Sequence, residues 1–292
     1  MPPDAERRLR IAAQTMLFAE GARALAALAG VGPVLVIKGA ATSPLVWAPG
    51  ERAMTDIDLL VAPDRLADAR IAMAAAGFQL LTTSHRPLGS RWHRAFTAKS
   101  VRGALIDVHA HIAQSVRWPV PFASLAARAE PFALARTHAL RPCLEDAMLI
   151  AALNEAKDEY AQGGQGLEDI ARMARLPVDW PALVHGAKQW RATVALWLAL
   201  ERACVRFAAP VPLAVRSALR PRRALVLGAL RLDARGHTGT RQPVRPGARR
   251  LRQAIVGPLL TDSPARFIAS AAGFAVVRAV DAVIHRVWGE GS

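Results

Sequence analysis

The sequence predicts an α+β protein, with strands gathered in the first part and helices making up the rest. Three observations predict it. Short apolar, β-branched runs bounded by Gly or Pro alternate with Ala/Leu-rich stretches as far as about residue 120. Beyond Pro121 the stretches are longer, Ala/Leu-rich and poor in strand signals. Hydrophobic residues make up 52% of the 292, enough to fill a sizeable core. Two regions are therefore expected. Residues 1–120 form a mixed α/β region with N-terminal helices, and residues 121–292 form a basic, helical region with a mobile loop near 234–248.

Taken in order, residues 5–30 read as one or two helices that stop at Gly30. Val34-Leu35-Val36-Ile37 lies between Gly32-Pro33 and Gly39 and reads as a buried strand. Gly39-Ala40-Ala41-Thr42-Ser43 then turns into a short helix toward Trp47, and Ala48-Pro49-Gly50 is a loop. Residues 54–62 form a second strand. Pro63-Asp64 opens a helix to about Ala76, stopped by Gly77. Residues 78–83 and 92–99 have strand character, Arg102-Gly103 looks like a hairpin turn, and Leu105–Ile112 is a further strand. Helices are expected over 122–130, 143–161, 166–175, 180–190 and 191–208, with Asp179 as an N-cap before Trp180-Pro181. Basic helices follow over 212–232, and a last helix spans roughly 263–288.

Composition narrows the function classes. The formal charge is +15, and fourteen arginines against four acids lie from Val211 onward. Lysine occurs only at Lys38, Lys99, Lys157 and Lys188, so the arginine richness reads as compositional bias. The clusters Arg216/Arg220/Arg222/Arg223 and Arg249/Arg250/Arg252 lack interleaved aromatics, and a nucleic-acid partner is not expected. Two cysteines, Cys143 and Cys204, show no CxxC spacing and fit a reducing compartment. No apolar run reaches membrane-spanning length, and the first residues lack the order of a secretory signal. A cytoplasmic location is expected.

The chemistry gathers at Met54-Thr55-Asp56-Ile57-Asp58-Leu59-Leu60-Val61. On a strand, Asp56 and Asp58 share one face while Ile57 and Leu59 take the other. Two carboxylates on one face of a packed strand are costly unless something cationic sits with them. A divalent metal ion is the simplest candidate. The same parity in 105–112 puts Asp107, His109 and His111 together, opposite Ile106, Val108 and Ala110. If the two strands are neighbours, three carboxylates suit Mg2+, which prefers hard oxygen ligands. Two such ions about 4 Å apart can hold the attacking and leaving oxygens of a phosphoryl or nucleotidyl transfer. Opposite them, Gly39 lets the backbone approach a ligand, and the N–H groups that follow, from Ala40 on, form an anion site at a helix start. Lys38 can supply an ammonium there, and Arg52 a phosphate contact or a partner for an acid.

Strand-Lys38-Gly39, then Arg52-x-x-x-Asp56-Ile-Asp58-Leu-Leu-Val, then Ile106-Asp107-Val108-His109, resembles the bacterial nucleotidyltransferase family proteins. These are remote members of the DNA polymerase β-like nucleotidyltransferase superfamily. Leu144-Glu145-Asp146-Ala147-Met148-Leu149, Gly166-Leu167-Glu168-Asp169-Ile170-Ala171 and Val178-Asp179-Trp180 resemble that family's second part, so the likeness covers about residues 25–200. The resemblance implies a small mixed β-sheet flanked by helices, two Mg2+ ions, and an NTP, with ATP as the default nucleotide. It implies that Asp56 and Asp58 hold both metals and that Asp107 holds the one activating the acceptor hydroxyl. Lys38, Gly39, Ala40, Arg52 and His109 would line the nucleotide. The acceptor would be a small molecule or a protein or peptide. The superfamily usually carries Gly-Gly or Gly-Ser at this turn. Here Ala40 follows Gly39, with Thr42 and Ser43 slightly later. A binding or regulatory protein without turnover is therefore the second expectation. A metal-dependent phosphoester hydrolase using Asp107, His109 and His111 is the third.

Two further stretches are open to simple readings. Asn154, Glu155, Lys157, Asp158 and Glu159 read as a solvated helix face or as one that closes over an acceptor. Gly163-Gly164-Gln165-Gly166 reads as a flexible turn rather than a phosphate loop, because no strand precedes it.

Overall fold

The computed structural model describes residues 3–81, 95–113, 115, 117–157, 160, 164–221, 260–263, 265 and 272. The loop near 234–248, Arg222, Arg223, Arg249, Arg250, Arg252, Asp158, Glu159, Gly163 and nearly all of 263–288 lie outside the described residues. The fold class is the expected one, a mixed sheet with flanking helices and further helices in the C-terminal half.

The first unit includes the chain up to Ile112 and Pro121–Cys143. Helix α1 (Pro3–Ala27) is one helix, and Leu17, Ala24 and Leu28 bury one stripe of it at helical spacing. Strand β1 (Leu35–Ile37) is wholly buried, as a continuous apolar run should be. Helix α2 (Lys38–Val46) follows it directly. Then come β2 (Asp56–Leu60), α3 (Leu66–Ala75), β3 (Gln79–Leu81), β4 (Ala95–Lys99) and β5 (Leu105–His109). Gly77 (φ +80°) ends α3, and Gly103 (φ +86°) lies in the β4–β5 turn, closed by Ser100 N–H to Ala104 O at 2.9 Å.

Among the described residues, seven strands form one sheet in the order β3-β4-β5-β2-β1-β7-β6. Strands β2 and β5 run parallel, while β1 and β4 flank them antiparallel. Period-2 alternation separates the faces. Ile57, Leu59, Phe96, Ala98, Ile106 and Val108 join the core with residues of α1 and α3 such as Leu17, Ala24, Ala69 and Met73. Asp56, Asp58, Thr97, Asp107 and His109 alternate with them and belong to the other face.

After Pro121 the expected helix over 122–130 is shorter, α4 (Phe122–Ala127), and a hairpin follows that the sequence does not signal. Strands β6 (Glu130–Leu134) and β7 (Thr137–Arg141) pair antiparallel, and β7 joins β1 in parallel. Pro131 is tolerated because β6 is an edge strand, with a free side where no ladder donor is needed.

The second unit holds Ala113–Val120 and Leu144–Ala272, with helices α5 (Leu144–Lys157), α6 (Gln165–Met173), α7 (Trp180–Gln189), α8 (Thr193–Phe207) and α9 (Leu213–Leu219). Its core includes Met148, Leu153, Ile170, Leu183, Trp190, Leu196 and Leu200. Asp179 caps α7 by accepting from Ala182 N–H at 3.0 Å. Asp262 does the same from a distance for α8, accepting from the amides of Thr193 (3.1 Å) and Val194 (2.9 Å). Glu155 is buried rather than solvated, and its carboxylate accepts from Gly166 N–H (3.0 Å) at the start of α6. That amide is thereby taken, consistent with a turn and not a phosphate loop. Among the described residues no helix is long and apolar enough to cross a membrane.

Candidate metal and nucleotide centre

The register of β2 on β5 brings the acids together. Asp58 pairs with Asp107, and Asp56 with Leu105, in parallel strands, so all three carboxylates share a face. Oxygens of Asp58 and Asp107 and a ring nitrogen of His109 lie within 4.8 Å of one another. His109 Nε2 stands 2.8 Å from Asp58 Oδ1, and the Lys38 ammonium forms an ion pair with the same oxygen. Asp107 Oδ1 accepts from the Thr97 hydroxyl at 2.6 Å, across the antiparallel β4–β5 ladder where the two residues pair.

Electrostatics divides the three acids. Burial pushes the Asp58 carboxyl up, but the His109 hydrogen bond and the Lys38 charge outweigh it and hold the carboxyl down at about 2. Asp56 goes the other way. Burial raises it first, and the negative charges of Asp58 and Asp107 raise it further against the pull of Lys38. The face thus carries more negative charge than its cations neutralise at Asp56, a balance that one divalent ion would reverse. The donors are carboxylate oxygens with one imidazole, which fits Mg2+ or Mn2+ and not a thiolate-seeking metal.

The phosphate side begins at the β1–α2 junction. Lys38 has a left-handed backbone (φ +53°), which costs a non-glycine residue about 1–2 kcal/mol. Helix α2 opens with no side-chain cap at Ile37, and amides at a helix start are the groups that can receive an anion. Gly39 is covered by the Arg52 guanidinium. A Cβ there would overlap its terminal nitrogen and sit 2.9 Å from Cζ. A side chain at position 39 would therefore push the guanidinium aside, which the flexible arginine stem allows. Ala40 is buried and can offer only its amide. Thr42 and Ser43 do not replace the missing Gly-Ser hydroxyl: both are buried, Thr42 donating to Lys38 O (3.0 Å) and Ser43 accepting from Gln14 Nε2 (3.1 Å).

Of the residues singled out from the sequence, Lys38, Asp58, Asp107 and His109 meet side chain to side chain or within 4.8 Å. Asp56 joins them through its field, and Gly39 and Arg52 form an adjacent pair. Strand β5 ends at His109, yet the burial alternation runs on, with Ala110 and Ile112 buried and His111 half-buried between them. The ligand group of Asp58, Asp107 and His109 includes one of the two histidines of the hydrolase expectation. Two features escaped the sequence reading: Thr97 as the partner of Asp107, and Lys38 as the partner of Asp58. The loose alternation of 92–99 signals the first only once β4 is known to pair with β5. For the second, a strand ending in a scarce lysine beside two acids needing a cation was the signal.

A comparison with curated proteins returned no match. The model of the family described as uncharacterised nucleotidyltransferase matches residues 4–208, more than half of the chain and every site residue above. The aspartate strand, its parallel partner and the glycine-bearing junction therefore have a shared origin: the chain belongs to the uncharacterised nucleotidyltransferase family.

Proposed function

We propose that the chain is a Mg2+-dependent nucleotidyltransferase that moves an NMP from an NTP, ATP being the expected one, to a hydroxyl on a small molecule, protein or peptide. The observation that supports this best is the shared face of Asp56, Asp58, Asp107 and His109 beside an uncapped helix start. Asp56 and Asp58 would hold both metals, and Asp107 the one on the acceptor side. When bound, the ions neutralise phosphate charge and align the attacking and leaving oxygens. The chain's own groups do the rest. His109 fixes the Asp58 carboxylate, and Thr97 fixes that of Asp107. Arg52, Lys38 and the amides of Gly39 and Ala40 bind and orient the triphosphate. The acceptor oxygen bonds to the α-phosphorus, the α–β anhydride bond breaks, the hydroxyl proton is released and pyrophosphate leaves. Neither Cys143 nor Cys204 is in a disulfide, which suits the cytoplasmic setting this reading assumes.

A labelled-NTP transfer assay with lysate as acceptor source tests the reading. Mg2+-dependent label transfer by the wild type, lost in Asp58→Asn, supports it. The Lys38–Asp58 ion pair and the internally bonded Thr42 and Ser43 favour a second reading, a nucleotide-binding protein without turnover. Mg2+·NTP binding without transfer, indifferent to Asp58→Asn, would select it.

A further inference from the structure

Lys38 carries two tasks that cannot be performed at once. Its ammonium is bonded to Asp58 Oδ1, one of the two oxygens of a carboxylate that belongs to the candidate metal group. Its backbone opens α2, where the first amides face any anion bound there. The left-handed turn at Lys38 fixes the root of the side chain at this junction. One flexible four-carbon stem thus stands between the carboxylate and the anion seat. Asp58 is only 6% exposed and could not stay ionised without a partner. His109 Nε2 shares the same oxygen, so the carboxylate keeps one contact if the lysine leaves. The Lys38 side chain is 20% exposed, which leaves it a side open to movement.

We infer that Lys38 is a resident counter-ion: it occupies the centre in the nucleotide-free protein and moves to the triphosphate when metal and nucleotide enter together. The inference rests on reading Asp56, Asp58 and Asp107 as metal ligands. A divalent ion arriving alone must displace the ammonium from Asp58 with no phosphate to receive it, so it binds weakly. A metal–triphosphate complex brings that anion, so displacement and capture coincide. Metal and phosphate are then positively coupled through one side chain, and the coupling is reciprocal. It makes metal loading conditional on substrate, and keeps the acids paired at other times.

Electron paramagnetic resonance of Mn2+ with the full chain tests this, comparing Mn2+ alone with preformed Mn2+–tripolyphosphate. Lys38→Gln should tighten binding of Mn2+ alone by about tenfold, on the scale of ordinary coupling energies, while binding of the tripolyphosphate complex stays equal or weakens. Lys38→Arg keeps the charge and should behave as wild type. Lys38→Gly suits the left-handed backbone and repeats the Gln test if that variant is unfolded by circular dichroism. Unchanged or weaker binding of Mn2+ alone in both neutral variants overturns the role given to Lys38. If neither wild type nor variants bind Mn2+ in any form, the metal-centre reading itself fails.

Discussion

Buried acids occur in both units, and they are treated differently. In the helical unit two of them, Glu155 and Glu201, have a clear structural use. Glu155 receives an amide at the start of α6, and Glu201, on α8, is bonded to Arg216 Nε at 2.7 Å on α9. In the sheet unit three acids converge on one face, Asp58 directly opposite Asp107 in register and Asp56 two residues before Asp58. Asp58 takes a lysine and a histidine on a single oxygen, while Asp56 is pushed up by its neighbours. An acid satisfied by one partner holds the fold together. Acids crowded beyond their neutralising charge keep a place for a ligand.

Exchanging the two kinds of acid breaks the comparison most strongly. Asp58→Asn should reduce nucleotidyl transfer by roughly a hundredfold or more, the scale of losing one preorganised electrostatic element. Glu201→Gln should leave transfer intact and lower stability by about 1–2 kcal/mol, a figure discounted because the Arg216 side chain is 30% exposed. Urea unfolding beside the transfer assay checks both. Equal activity loss in the two variants would erase the distinction.

Acidity separates the acids within the sheet. The Asp58 carboxyl is held below its ordinary value, so its stabilisation is fully present above about pH 4. It fades as pH falls toward about 2, and amounts to on the order of 2 kcal/mol. Asp56 is raised, so its contribution has the opposite sign: it favours the fold below the ordinary carboxyl pKa and is lost as pH rises through the raised value. At neutral pH in EDTA, Asp56→Asn should therefore raise the melting temperature, and it should also abolish any further rise on adding Mg2+. A lower melting temperature in EDTA would show that Asp56 is satisfied like Glu201.

The smallest expected effect is at Thr97. Thr97→Val removes one hydrogen bond to Asp107, worth about 1 kcal/mol, and should weaken Mn2+ binding severalfold without unfolding the chain. Unchanged Mn2+ affinity would mean that Asp107 needs no holder.

Strand parity made most of the site legible. Asp56-Ile57-Asp58 and Asp107-Val108-His109 each announce their faces from sequence, because a half-buried strand must alternate. Which strands are neighbours is a tertiary matter, so Thr97 was hidden until β4 paired with β5. The hairpin 130–141 was hidden because Ala-rich strands with a proline, Glu130-Pro131-Phe132-Ala133-Leu134, carry little intrinsic strand preference; their place at the sheet edge permits them. His111 keeps the burial alternation past the end of β5 but is not part of the Asp58–Asp107–His109 group, because a period says nothing about distance. The acidic run near Glu155 gave no hint that one of its members would cap the next helix.

The most direct test is a crystal structure of the wild type with Mn2+ and a non-hydrolysable ATP analogue, read from the manganese anomalous signal. The expected result is density within about 2.0–2.2 Å of carboxylate oxygens of Asp58 and Asp107, with Asp56 as a further ligand and Lys38 moved from Asp58 to phosphate. Absence of manganese from this face, with Lys38 still bonded to Asp58 beside bound nucleotide, would contradict it.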